Sequence, residues 1–461
     1  MRTDQVKISI KDFRAIEEAE IALNGITVVA GENGCGKSTI SKLLYYVVQS
    51  MSNYEQIIID LQLKPYVRII CDSLLSLISY YKIDSEQKNQ LQRLAEVLYV
   101  SIKISFIKTN LLTFVENIKL ILLSIKQLEK TDSPDYDKVY EHIKNLPDWT
   151  RNRLINLLEH IDTLERFSLL EFEEFEDTDS KNIVELFQML CDNINTKTTK
   201  LEEISNSKNN LILKEYLFSI FGHFDIIGKH INISEYGNTI FDENSFRFIP
   251  LDYFNNAIYI DTPMAIDASS ADCSYWDDLN SLLKKQYNNH ILDSEISSLL
   301  KKNILKGEIK FQKGTFNRFT YKRDDGEEFN LRDCATGVKS FAMLQLLLNN
   351  GSLTHKTLLI LDEPEAHLHP QWIIEYARLL VLLNKEIGVK FFIASHSPDM
   401  VSALKYISEK EKKDKNLNFY IAKKGKKPFQ YKYKHLGTDI GEIFDSYNIS
   451  YEKLDKYGAT E

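Results

Sequence analysis

Apolar and polar positions alternate along the first part of the chain and then stop alternating. Val6, Ile8 and Ile10 are separated by polar neighbours, Ile21 and Leu23 repeat the pattern, and residues 26–30 are apolar or nearly so throughout. A period of two sends successive side chains to opposite faces, so the alternation predicts strands with one buried face and the unbroken run predicts a strand buried on both. That run ends at Gly31, where a glycine-rich turn leads into a helix. From about Tyr54 to Phe221 the period lengthens, with Leu91, Leu94, Val97, Leu98 and Ile102 three or four apart, which predicts helices. The segments Thr131-Asp132-Ser133-Pro134-Asp135 and Asp177-Thr178-Asp179-Ser180 divide this stretch into several helices or antiparallel pairs. No heptad run is long enough to demand one long coiled coil, although the insertion can be coiled-coil-like.

Strands are expected again after about residue 240, at 246–249, 257–260, 308–312 and 318–322, the last followed by the turn signal Asp324-Asp325-Gly326. Residues 331–348 read as a helix. The apolar runs 357–361 and 389–394 flank a helical stretch at 371–383, which predicts a βαβ unit of a parallel sheet. The expected organisation is an α/β head with a mixed sheet flanked by helices, split into residues 1–54 and 241–461 by a large α-helical insertion at 55–240.

Composition narrows the partners. A chain of 461 residues has length for two or three domains, and its 9 prolines and 17 glycines are few, which favours long helices over loop-rich β architecture. The formal charge of −9 argues against a generally basic nucleic-acid coat, while leaving room for a local basic groove. Cys35, Cys71, Cys191, Cys273 and Cys334 stand singly, and the start MRTDQVKISIKD lacks an apolar core, so a reducing cytoplasm is the expected location. The apolar stretch 111–123 is broken by Glu116 and Lys119, short of the roughly 20 residues a membrane span needs, and no membrane partner is expected.

Candidate chemistry begins at Gly31-Glu32-Asn33-Gly34-Cys35-Gly36-Lys37-Ser38-Thr39, a complete G-x-x-x-x-G-K-[ST] loop after a buried strand and before a helix. Glycines let the backbone wrap phosphates, successive N–H groups from Asn33 to Thr39 and the helix N-terminus supply partial positive charge, Lys37 reaches the β- and γ-phosphates, and Ser38 offers a hydroxyl to Mg²⁺. A second signal is the apolar strand that ends in Asp362-Glu363-Pro364. It delivers two carboxylates to the strand's C-terminal edge, where Asp362 can hold Mg²⁺ and Glu363 can act as general base on a water; helix capping is the plainer alternative. His396, in Ala394-Ser395-His396-Ser397-Pro398, ends the next strand and is within reach of a γ-phosphate or the attacking water. His367 and His369, with Glu365, lack a third ligand at metal-site spacing and are read as shaping the loop. Thr336-Gly337 opens a helix and by itself is weak, since the same pair is an ordinary N-cap.

Together the P-loop, Leu361-Asp362-Glu363-Pro364, Thr336-Gly337 and His396 resemble the ATP-binding cassette ATPases. Residues 8–14, 362–370 and 395–398 resemble more narrowly the RecF, SMC and OLD-like branch (AAA15- and AAA21-like), over about half the chain. That resemblance implies ATP and Mg²⁺ as cofactors, hydrolysis to ADP and phosphate, and two heads that sandwich ATP, with Thr336 and Gly337 as the signature pair facing the other head's P-loop. Threonine replaces the usual serine and Val338 stands where a second glycine is common, which bears on closure and turnover; Asp12 stands where the branch commonly has asparagine. No Q-loop glutamine is identifiable, and the strand 256–263 is the place for that lobe to meet the nucleotide.

A transporter ATPase fits poorly, because about 300 residues separate Lys37 from Gly337. An OLD-type nuclease is disfavoured, because about 60 residues follow His396, too few for a Toprim domain. The layout resembles the ATPase subunits of two-gene anti-phage defence systems, PARIS first and Septu second. It implies a larger homo-oligomer such as a hexamer, a separate Toprim-like or HNH effector nuclease, and a phage protein or DNA as trigger. A DNA-repair clamp would use Lys423, Lys424, Lys426, Lys427, Lys432 and Lys434 with Phe429, Tyr431 and Tyr433, although residues 420–433 read more simply as a β-hairpin with a solvated face. A nucleotide-gated scaffold with slow turnover is a further reading. The acidic run at 171–177, Glu171 to Asp177, reads as a solvated helix face or a dock for a basic partner.

Overall fold

The computed structural model describes residues 6–59, 61, 192, 196, 198–201, 203–222, 231–242, 247–266, 274–285, 295–312, 318–412 and 414–445. The chain divides into two compact units, Met1–Ser52 with Leu213–Glu461, and Asn53–Ile212.

The first unit carries a ten-stranded sheet in the order β5-β4-β1-β2-β13-β12-β3-β11-β10-β6. Its N-terminal strands are β1 (Val6–Phe13), β2 (Ile16–Ala22) and β3 (Ile26–Ala30), followed by α1 (Lys37–Ser52), and α2 (Tyr54–Ile58) belongs to the other unit. Next come α3 (Asn210–Phe221), β4 (Ile231–Glu235), β5 (Asn238–Phe241), β6 (Asn256–Ile260), α4 (Ser274–Leu283) and α5 (Glu295–Ser298). The meander β7 (Gly307–Gln312), β8 (Arg318–Arg323), β9 (Glu328–Asn330) forms a separate three-stranded sheet. The chain continues through α6 (Thr336–Asn349), β10 (Thr357–Asp362), α7 (Pro370–Glu386), β11 (Lys390–Ser395), α8 (Pro398–Lys410), β12 (Leu417–Lys424) and β13 (Tyr431–Gly437).

Pattern explains position. Every residue of β3, β10 and β11 is buried, and these strands form the parallel centre with β12 and β6, as expected for strands covered on both faces. In β1 buried Val6, Ile8 and Ile10 alternate with half-exposed Lys7 and Ser9, and that strand pairs antiparallel with β2 and β4. Leu344, Leu347, Leu380 and Leu383, on α6 and α7, join Leu359, Phe391 and Ile393 in one apolar core, where each fully buried side chain contributes about 1.5–3 kcal/mol.

Several boundaries differ from expectation. Strands return at Ile231 rather than after 240: Ile231 and Ile233 are buried against β1, and Tyr236-Gly237, both at positive φ, turn β4 into β5. At 246–249, Phe246 lies outside the described residues and the rest makes only an isolated bridge at 247; Ile249 N–H bonds to the Ile240 carbonyl at 3.0 Å, and Pro250 has no donor to extend a ladder. The helix expected from 331 begins at Thr336. Residues Leu331–Asp333 form a single 3₁₀ turn capped by the Asn330 side chain, and Cys334 is extended. The hairpin at 420–433 exists, but its turn is longer than Lys424-Gly425-Lys426 and closes with Gly425 N–H on the Gln430 carbonyl at 2.6 Å. It also sits inside the main sheet, with β12 parallel to β3 and β13 parallel to β2.

In the second unit the Tyr54 hydroxyl donates to the Asn209 carbonyl at 2.9 Å, and Lys208 Nζ lies over the Tyr54 ring. The expected breakers at 131–135 and 177–180, the acidic run 171–177 and the apolar stretch 111–123 lie outside the described residues. Among the described residues no helix is long and apolar enough to cross a membrane.

Candidate functional site

The parallel strands β3, β11 and β10 bring the separate motifs to one edge. Ala30 pairs with Ser395 and Asp362 with Ala394, so Gly31, His396 and Glu363 each leave the sheet one residue beyond a paired position. Crevices at the carboxyl ends of parallel strands are where such sheets bind ligands.

The P-loop is shaped by what surrounds it. Gly34 and Gly36 take φ of +81° and +99°, a region other residues rarely adopt. A Cβ on Gly31 would stand 2.8 Å from Ala422 Cβ and 2.9 Å from Cys35 Sγ, so β12 presses on the loop's first residue. Cys35 is fully buried and its carbonyl accepts the Tyr433 hydroxyl at 2.8 Å; burial drives that phenol far above its ordinary range. Lys37, only 5% exposed, curls back so that Nζ donates to the carbonyls of Gly31 at 2.8 Å and Glu32 at 3.0 Å. Asn33, Gly34 and Ser38 are exposed and Thr39 half-buried, leaving the outer rim of the loop open.

Asp362 closes the buried strand β10. Its Oδ2 accepts the Tyr259 hydroxyl at 2.9 Å, whereas Oδ1 is buried and has no donor in bonding geometry. Burial pushes this carboxyl above its ordinary range; the hydroxyls of Ser38 and Tyr259 offset part of the effect, and the charges of Glu363 and Asp261 add to it. An unsatisfied carboxylate oxygen beside a serine hydroxyl fits a hard divalent cation that completes its shell with phosphate and water oxygens. No group of three or more His, Cys, Asp or Glu side chains suited to a metal ion occurs among the described residues, so Ser38 and Asp362 would be the protein's share. Asp261 follows β6 and lies across from Asp362, held by Tyr275 at 3.0 Å and Trp276 Nε1 at 2.9 Å.

Glu363 adopts a left-handed backbone (φ 51°), with its N–H on the Ala394 carbonyl at 2.8 Å. That conformation is uncommon outside glycine and turns the side chain out of the strand's alternation. Its side chain is 39% exposed, and His396 Nδ1 lies 3.3 Å from Oε1. Glu365 sits beneath, accepting from the Ser395 hydroxyl at 2.8 Å and the His396 N–H at 2.9 Å. His367 is also left-handed and His369 caps α7, accepting the Gln371 N–H at 3.4 Å.

Thr336 and Gly337 occupy the first turn of α6, and a Cβ on Gly337 would meet Trp372 at 3.2 Å and Leu368 at 3.4 Å. Gly337 therefore packs on the segment that follows Glu363. Arg14, at positive φ beside Phe13, donates to the Phe221 carbonyl at 2.7 Å and stacks on the Phe221 ring. Three of the six hairpin lysines are engaged: Lys432 with Glu17 and Glu18, and Lys423 and Lys434 both with Glu442. Such pairing leaves less uncompensated charge for phosphates than the residue count suggests.

Sequence reasoning missed Tyr259, Asp261, Glu365, Ser395 and Tyr433 as parts of this site. Asp261 was findable, because a carboxylate directly follows the apolar run of β6 much as one closes β10. Tyr433 was not, because its partner is a carbonyl 398 residues away.

The AAA ATPase domain family matches residues 6–401. The chain is 38% identical over 73 residues to the energy-coupling factor transporter ATP-binding protein EcfA3 of Clostridium perfringens, covering 16% of this chain and 26% of that protein. It is 29% identical over 150 residues to the Old nuclease of Escherichia phage P2, covering 31% and 25%. The chain thus spans about a quarter of the length of these curated relatives. Among solved structures, the Smc head domain of Pyrococcus furiosus with an extended coiled coil, bound to the C-terminal domain of ScpA, aligns over 97% of this chain and 98% of that one at 12% identity and a TM-score of 0.33. With a match that runs from the first strand of the sheet to the start of α8 and takes in the P-loop, Asp362, Glu363 and His396, the chain belongs to the AAA ATPase domain family.

Proposed function

We propose that this chain binds and hydrolyses ATP at the C-terminal edge of its parallel strands and works as the sensor and scaffold ATPase of an anti-phage defence system, controlling a separate effector nuclease. The observation that carries the hydrolytic part is the register that sets the P-loop, the Asp362-Glu363 pair and His396 side by side on β3, β10 and β11.

The loop's N–H groups and the start of α1 receive the phosphates. Lys37 exchanges its two carbonyl partners for the β- and γ-phosphate oxygens, a short swing from where Nζ rests. Ser38 and Asp362 hold Mg²⁺, which when bound neutralises phosphate charge as it develops. Glu363, aimed outward by its left-handed backbone, accepts a proton from water. His396, at 3.3 Å from that carboxylate, orients the water or donates to the γ-phosphate. Thr336 and Gly337 complete the site of a second head.

The regulatory part rests on the resemblance of the motifs to the ATPase subunits of two-gene defence systems. On that reading heads pair within a larger homo-oligomer, the effector is a Toprim-like or HNH nuclease, and a phage protein or DNA is the trigger. The lysine pairing in the β12–β13 hairpin weighs against a DNA clamp.

Turnover and binding of a fluorescent ATP analogue test the hydrolytic reading. Lys37→Ala should weaken nucleotide binding by roughly 10–100-fold, as expected for lost charge-assisted hydrogen bonds. Glu363→Gln should keep binding and lower kcat by about 10²–10⁴-fold. Turnover at the wild-type rate in Glu363→Gln would remove the base assignment, and co-purification with no neighbouring-gene nuclease would remove the effector.

A further inference from the structure

Glu365 is a carboxylate that phosphate binding, cation binding and water activation do not use. It is nevertheless buried, with 5% of its side chain exposed. Burying a charge is costly unless specific partners compensate. Oε1 has two such partners, the Ser395 hydroxyl at 2.8 Å and the His396 backbone N–H at 2.9 Å, while Oε2 is buried without any. Both donors belong to the end of β11, whereas Glu365 belongs to the turn after β10. That turn is fixed by Ala366 N–H on the Glu363 carbonyl at 2.9 Å and Leu368 N–H on the Glu365 carbonyl at 3.0 Å, with left-handed residues at 363 and 367. Ser395 extends the link by accepting the Ser397 N–H at 3.1 Å, and Ser397 caps α8. One carboxylate oxygen therefore ties the loop that carries Glu363 to the loop that carries His396. The imidazole Nδ1 stands between the two carboxylates, 3.3 Å from Glu363 and 3.6 Å from Glu365.

We propose that Glu365 is the positioning residue of this site, holding the Ser395-His396 backbone so that the imidazole is presented to Glu363. The inference rests on the reading of Glu363 and His396 as groups that act in ATP hydrolysis. What Glu365 supplies is an acceptor at a fixed place, and its charge is not required. Misplacing a catalytic group by an ångström is enough to cost on the order of 100-fold in rate.

The test uses the full chain with Glu365→Ala, Glu365→Gln and Lys37→Ala beside wild type. Glu365→Ala should lower kcat on the order of 100-fold, with KM and the Kd of a fluorescent ATP analogue within about twofold, since the P-loop is untouched. Glu365→Gln keeps an oxygen for both donors and should return kcat to within a fewfold of wild type. Hydrogen exchange at the His396 amide should speed up in Glu365→Ala and stay slow in Glu365→Gln. A Glu365→Ala protein with wild-type kcat, one whose nucleotide affinity falls in step with its rate, or a Gln variant as slow as Ala overturns the proposal. Wild type no faster than Lys37→Ala would remove the hydrolysis reading itself, and unchanged exchange at His396 in Glu365→Ala then removes Glu365's hold on the loop as well.

Discussion

Asp362 closes a buried strand with one carboxylate oxygen unmatched, an environment that penalises its charged form. Burial is the largest cause of its raised pKa. A raised carboxyl contributes favourably to stability only while protonated, so the contribution present below the ordinary carboxylate range is lost as pH rises through the shifted value. Asp362→Asn keeps an acceptor for Tyr259 and removes the buried charge. The nucleotide-free variant should therefore be more stable than wild type at pH 8, by about 1 kcal/mol, with the gap shrinking towards pH 4. Thermal unfolding at the two pH values reads this directly, and Mg²⁺-dependent nucleotide binding should fall in the same protein. Function at this position runs against stability, which is why a strand otherwise written as Leu358, Leu359, Ile360 and Leu361 announces its site at its last residue. Glu365 gave no such announcement. In the sequence it reads only as part of the turn that shapes the loop, until the fold places the Ser395 hydroxyl and the His396 amide on it.

The elements were legible where one periodicity ran unbroken. The buried runs at β3, β10 and β11 and the alternation in β1 need no tertiary information. The hairpin β12–β13 was legible as a hairpin but not as a sheet member, because pairing with β3 and β2 depends on residues about 400 positions away. That placement has an energetic handle at the P-loop. Gly31→Ala puts a methyl 2.8 Å from Ala422 Cβ, forcing β12 and the loop apart. Overpacking of this kind costs about 1–3 kcal/mol. The expected outcome is a lower thermal midpoint together with weaker nucleotide binding, and partial recovery on adding Ala422→Gly. Recovery would show that the clash, and not the glycine's backbone freedom, sets the penalty, since Gly31 is not at positive φ.

For the whole molecule, the motifs at both ends of the chain assemble on one sheet within the unit Met1–Ser52 and Leu213–Glu461. On the proposed reading, pairing of heads gives Thr336 and Gly337 their task. Glu363→Gln, which keeps ATP bound, should at least double its mass by light scattering on addition of ATP and Mg²⁺, and Lys37→Ala should not. An unchanged mass in Glu363→Gln would remove that task and leave Gly337 with only its packing against Trp372 and Leu368.

The seat of β3 between β11 and β12 also orders events in time. A ribosome releases β3 early, yet neither neighbour exists until residues 390–395 and 417–424 have followed. At about 5–20 residues per second the wait for β12 is on the order of 20–80 s. For most of it the P-loop lacks the strand that supplies His396, and for all of it the strand that presses on Gly31. A chain that stops before residue 390 therefore lacks both sheet neighbours of β3, and on the proposed reading it should bind nucleotide more weakly than one that has passed residue 424.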